Sequence, residues 1–192
     1  MRYSDSDIRN AMHGVLSRRE PTVRAGRNAS VAVIFARHSA DTSLLFIERA
    51  RVSGDPWSGD IAFPGGMRDQ PDSSYAATAA RETMEEVGIH LDLDADFLGY
   101  WRRFKTLGGL SVIPSVFSIG MQVAPRLNRS EAVSYKWIPL GSLVSPDNIV
   151  MYSVQRADHS MTTHAISVSG YTIWGLTYRI LISLFEAVGF RI

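Results

Sequence analysis

Residues 63–89 read FPGGMRDQPDSSYAATAARETMEEVGI, and this stretch decides the fold. Residues 74–87 are strong helix formers, and Gly88 stands where a C-terminal cap glycine belongs. Pro64-Gly65-Gly66 breaks a short strand over 61–63 and turns the chain ahead of a polar loop, 67–73. Glu82 and Glu85 are three apart and Glu82 and Glu86 four apart, so the spacing predicts three carboxylates on one helical face. Like charges so placed cost about 0.2–0.5 kcal/mol per pair. They also crowd the helix end that disfavours anions. A divalent cation would offset both penalties, and oxygen-only ligands suit Mg²⁺ or Mn²⁺. A solvated acidic face, partly balanced by an Arg81–Glu85 pair, uses the same residues without a metal.

Outward from this stretch, residues 5–19 carry Ile8, Met12, Val15 and Leu16 at amphipathic helix spacing. Residues 20–28 read as a linker. Residues 30–36 and 43–48 are apolar, β-branched strands around a polar turn, and 52–60 form a loop. Residues 97–104 and 110–121 are predicted as long strands joined at Gly108-Gly109. A further strand spans 133–138, with a short helical turn over 139–143. Residues 144–160 read as mostly irregular. A last hairpin turns at Gly170, between 164–168 and 171–173, and a closing helix runs over about 174–188. The order predicts an α+β protein, a mixed sheet packed between helices. It divides into a helix and linker, 1–28, and one main domain, 29–192.

The 192 residues suffice for one domain with a full core. There is no cysteine, which excludes disulfides, thiolate metal sites and cysteine nucleophiles. A net charge of +1 is too balanced for a dedicated nucleic-acid binder. Arginine outnumbers lysine 18 to 2. This suits planar contact with phosphates, although GC-rich coding produces the same bias. Acids occupy the first residues where an export signal would be apolar, which predicts a cytoplasmic protein. Arg179 and Glu186 interrupt the apolar run 173–190, so it reads as a packed helix and no membrane partner is expected. The five histidines lack metal-ligand spacing.

Gly65-Gly66, the loop and Arg81-Glu82-Thr83-Met84-Glu85-Glu86-Val87-Gly88-Ile89 together resemble the Nudix box. Two places depart from it. Thr83 stands where an aliphatic residue is usual, and Ser73 stands where the box has a loop glutamate. The span from Gly66 to Arg81 is one residue longer than the strict pattern, as in the coenzyme A pyrophosphatase-like branch. That branch is also resembled by Gly59 with Phe63-Pro64-Gly65-Gly66, by Glu131-Ala132-Val133 before Trp137-Ile138-Pro139-Leu140, and by Ile173-Trp174-Gly175-Leu176-Thr177. Upstream the likeness thins. Phe46-Ile47-Glu48-Arg49-Ala50 replaces the usual stretch, and Asp55 takes a basic position associated with coenzyme A recognition.

The resemblance implies a Nudix fold and metal-dependent hydrolysis of a nucleoside diphosphate linked to a group X, with coenzyme A or an ADP-linked relative as substrate. A Nudix-fold module that binds a nucleotide without turnover is the alternative. The implied metal set is Gly66, through its carbonyl, with Glu82, Glu85 and Glu86. Arg81 would orient the glutamates, and Glu82, Glu85 or Glu131 would serve as general base. Arg51, Trp57, Phe63 and Arg68 are the candidate substrate contacts. The expected partner is a small-molecule nucleotide, and a homodimer stays open.

Overall fold

The computed structural model describes residues 3–23, 26–38, 41–55, 57–106, 108–155 and 160–190. Residues 24 and 25 of the expected linker, and His159, lie outside them.

Two long apolar strands set the centre. β1 (Asn28–His38) and β2 (Asp41–Arg49) form a hairpin, but they pair with each other only from Phe35↔Leu44 to His38↔Asp41. Beyond that they splay, and β3 (Ile61–Ala62) and β4 (Gly65–Met67) fill the fork. β3 pairs with β2, whereas β4 pairs with β1 at Ser30↔Gly66. Pro64-Gly65-Gly66 therefore carries the chain from one strand to the other instead of ending the pairing. α2 (Tyr75–Val87) and the short α3 (Leu91–Asp94) follow.

The chain then returns through β5 (Ala95–Tyr100), β6 (Phe104–Lys105) and β7 (Ser111–Ile119). β7 lies parallel to β1 from Asn28↔Ser111 to Ala36↔Ile119. β8 (Ala132–Pro139) covers the other edge of β2. After the short α4 (Leu140–Leu143), strands β9 (Ile149–Gln155), β10 (Ser160–Val168) and β11 (Tyr171–Ile173) make a second, antiparallel sheet. α5 (Gly175–Ala187) closes the described fold.

Alternation along the central strands builds two cores. Val33 and Phe35 with Leu44 and Phe46 face Ile180, Leu181, Leu184 and Phe185 of α5. Ile8 and Met12, from α1 (Asp5–His13), join that core. Ala32, Ile34 and Ala36 with Leu45 and Ile47 face the opposite way, toward Ala79 and Val87 of α2 and Leu91. This is the mixed sheet between helices that the element order predicts. Met12 is fully buried. Met12→Ala should lower unfolding free energy by about 2–4 kcal/mol, read from the urea midpoint at unchanged slope.

Three boundaries differ from expectation. α1 ends at His13, and Gly14 takes the C-cap position. Val15 and Leu16 continue the apolar pattern outside the helix and still pack on the core. The predicted strand 97–104 splits after Tyr100: the Trp101 N–H still donates to Pro114 O at 2.9 Å, but proline has no N–H to return, and the indole N–H reaches Ser183 Oγ at 2.8 Å. The stretch expected to be irregular contains β9, paired along its length with β10. No helix among the described residues is long and apolar enough to cross a membrane.

Candidate active site

α2 is fixed at both ends. Ser74 caps it by accepting from the Ala77 N–H at 3.0 Å. Gly88 leaves it in the left-handed conformation, φ 67°, and donates to Met84 O at 3.0 Å. Thr83, the departure from the box, is buried and spends its hydroxyl on Ala79 O at 2.6 Å. A β-branched side chain thus fills an aliphatic position without an unsatisfied group.

This anchoring points Glu82 and Glu86 at the Gly65-Gly66 step. Glu86 is 4% exposed, and Oε2 accepts the Gly65 N–H at 2.8 Å. Burial pushes its carboxyl up to about 8; the Gly65 N–H and Arg49 oppose this, and the charges of Glu82 and Glu131 add to it. Glu82 is also raised by burial, against the pull of Arg81. Its carboxylate lies against Gly66, where a Cβ would come within 2.4 Å of it. Only a glycine admits that approach.

Arg81 ties the cluster together. It donates to Glu82 Oε1 at 3.0 Å, Glu85 Oε2 at 3.1 Å and Met67 O at 2.9 Å. It also grips Asp72 through two hydrogen bonds, of 3.1 and 3.0 Å. That grip draws the Asp72 carboxyl down to about 2. Asp72 was not legible as a site residue; the signal was an acid one place before the Ser73 that replaces the loop glutamate. Glu131 arrives from the loop before β8, held by Asn128 Nδ2 at 2.8 Å. It lies close enough to raise both Glu82 and Glu86.

Glu85 shares the predicted helical face, near enough to raise Glu82, but not its aim. Its carboxylate is turned onto Arg81 and 48% exposed, so Glu82 and Glu86 face the glycines without it. Among the described residues no three acid or histidine side chains converge as a finished metal cage. The donor set nonetheless fits a hard cation. It consists of oxygens, and Glu86 is a buried carboxylate that accepts the Gly65 N–H.

The four expected substrate contacts separate. Phe63 is 3% exposed and stacks on Phe46 with ring centroids 5.1 Å apart, so it is a core residue. Its apolar ring is worth more in the core beside Phe46 than at the surface. Arg68 is drawn away by Glu20 at 3.2 Å and lies over the Tyr75 ring at 4.5 Å. Arg51 and Trp57 remain exposed on the 50–60 loop.

That loop folds back on Arg49, whose N–H donates to Asp60 O at 3.1 Å and whose carbonyl accepts from Gly59 N–H at 3.1 Å. Arg49 also answers the question posed by Asp55. Their ion pair is 2.9 Å, so the Asp55 carboxylate faces a guanidinium. Arg49 Nε is buried without a hydrogen-bond partner. The sequence pattern gave no reason to single Arg49 out.

A family model described as the NUDIX domain matches residues 26–156. The chain is 30% identical to a Nudix hydrolase NudL of Pectobacterium atrosepticum, uncharacterised, over 83% of this chain and 81% of that protein. It is 37% identical to an uncharacterised protein of Schizosaccharomyces pombe over 63% of this chain, and spans 44% of that protein's length. Among solved structures, the MutT/nudix family protein of Enterococcus faecalis has a TM-score of 0.52 at 16% identity. That match covers 98% of this chain and 75% of the other, and it supports the fold alone. With the box glutamates, their glycine step and the sandwiched sheet in place, the chain belongs to the Nudix family and is a Nudix pyrophosphohydrolase acting on phosphoric anhydrides.

Proposed function

We propose that the protein hydrolyses the diphosphate bond of a nucleoside diphosphate linked to a group X, in a coenzyme A-like or other ADP-linked compound, with Mg²⁺ or Mn²⁺. The observation that carries this is Glu86, buried one helical turn from Glu82 and pressed onto the Gly65-Gly66 backbone. Glu82, Glu86 and the Gly66 carbonyl would hold the cation, and Glu85 would join by turning off Arg81. Bound there, a divalent ion neutralises phosphate oxygens and acidifies water. Arg81 keeps the glutamates in place. Glu82, Glu85 and Glu131 are the carboxylates able to take a proton from the attacking water.

On the 50–60 loop, exposed Trp57 offers a face for a base or a pantetheine chain, and Arg51 offers a charge for phosphate. Because Asp55 is paired with Arg49, it does not act as a bare charge against the 3′-phosphate of coenzyme A. Intact coenzyme A should therefore be accepted about as well as its dephospho form. The test is kcat/KM for coenzyme A, dephospho-coenzyme A and ADP-ribose, each with Mg²⁺ and Mn²⁺. Hydrolysis at the diphosphate, with the two coenzyme A forms within about tenfold of each other, is expected. A preference of about 100-fold for the dephospho form would show that Asp55 repels the phosphate after all. No turnover of any diphosphate compound would leave the nucleotide-binding module.

A further inference from the structure

Residues 3–23 precede the stretch matched by the family model, yet they fold across the domain. Ser17 exchanges backbone hydrogen bonds with Tyr100, at 3.0 and 2.7 Å, and extends the sheet past β5. The chain then reaches the start of α2. There Glu20 Oε1 accepts the Tyr75 N–H at 2.7 Å and Arg68 Nη1 at 3.2 Å. Tyr75 is the first residue of α2, so its N–H has no acceptor within the helix, and a carboxylate suits that positive end.

Arg68 lies over the Tyr75 ring, 4.5 Å from its centroid, and donates from Nη2 to Asp72 O at 3.2 Å. Asp72 holds Arg81, and Arg81 holds Glu82 and Glu85. A continuous run of short polar contacts therefore leads from Glu20 to the carboxylates, through the 68–74 loop. Without Glu20, Arg68 loses its counter-charge and the first N–H of α2 loses its acceptor.

We propose that Glu20 is a positioning residue for the glutamate site: it sets the 68–74 loop so that Asp72 and Arg81 present Glu82 to a divalent cation. This rests on the metal-holding reading above. Asp5 and Arg9 of α1 supply the control, because Arg9 pairs with Asp5 and Asp96 and bonds Ser118, all away from that loop. Arg9→Ala weakens the same N-terminal segment without cutting the run of contacts.

The experiment titrates Mn²⁺ into chelator-treated protein and follows free Mn²⁺ by electron paramagnetic resonance. Glu20→Ala should weaken Mn²⁺ binding by about five- to tenfold, below the 10–100-fold typical of groups directly behind a metal ligand. Glu20→Gln keeps the acceptor for Tyr75 but not the charge, and should fall between. In an Asp72→Asn background Glu20→Ala should add less than about twofold, because the run is already cut. Arg9→Ala should lower the melting temperature and leave Mn²⁺ affinity within about twofold. Amide exchange of residues 68–74 in metal-free protein should quicken in Glu20→Ala and not in Arg9→Ala. Glu20→Ala binding Mn²⁺ like Arg9→Ala, or losses that add fully with Asp72→Asn, would overturn the proposal. Wild-type protein that binds no Mn²⁺ would overturn the metal reading instead, and the exchange data would still decide whether Glu20 sets the loop.

Discussion

Glu86→Gln is expected to remove at least about 10²-fold of kcat/KM while the protein stays folded, in line with loss of an essential metal ligand. Shape and the Gly65 N–H contact survive the substitution; only the charge goes. Stability should move the other way. In the fold, Glu86 titrates at about 8 because burial opposes its charge, against 4.5 for an unperturbed group. The native protein thus keeps a proton that the unfolded chain has released. Stability of metal-free protein therefore falls as pH rises from about 4.5 to 8, and the penalty is complete above that. Glutamine has no proton to lose. With chelator present, Glu86→Gln should be more stable than wild type at pH 8 by on the order of a few kcal/mol, and so melt at a higher temperature. At pH 4 to 5 the gap should close. Activity within a fewfold of wild type would overturn the site assignment. Melting curves that stay parallel across pH would overturn the account of its burial.

Gly65→Ala should have the largest effect on the fold. Gly65 has φ +150°, and a Cβ there would lie 2.3 Å from Ser30 O and 2.6 Å from Val31 Cα. Both atoms are backbone of the central strand β1, so nothing flexible can yield. A loss of more than about 3 kcal/mol, or failure to fold, is expected in urea unfolding. Gly66→Ala makes an informative contrast. Its Cβ would meet the Glu82 carboxylate at 2.4 Å, which is the end of a side chain that can swing away. That variant should fold and lose activity. Equal destabilisation by the two alanines would contradict the division of labour between adjacent glycines.

The sequence made α2 legible because its signals are local: Ser74 ahead of helix formers, Gly88 behind, and carboxylates at fixed spacing between. The strands of the central hairpin were legible for the same reason. β9 was missed because its inward residues Tyr152 and Val154 alternate with Met151, Ser153 and Gln155, and only its partner β10 makes that pattern a ladder. Phe63 and Arg68 illustrate the other limit. A phenylalanine and an arginine beside a glycine turn suit a ligand equally well until Phe46 and Glu20, both distant in sequence, claim them, Tyr75 adding its ring. Glu20 shares that character, its partners lying about fifty residues on; Asp72 and Arg49 meet Arg81 and Asp55 across loops, where no helix or strand period marks the pair.

The parallel pairing of β1 with β7 also imposes an order of events during synthesis. Residues 28–36 leave the ribosome long before residues 111–119, and β2 covers only the far end of β1 in the interval. At about 5–20 residues per second the central strand waits several seconds for its partner. Throughout that time it displays Val31 to Ala36, apolar on both faces, along an open edge. Such an edge recruits other chains. Truncation before residue 111 should therefore yield aggregates instead of a smaller domain, read by light scattering of the expressed fragment.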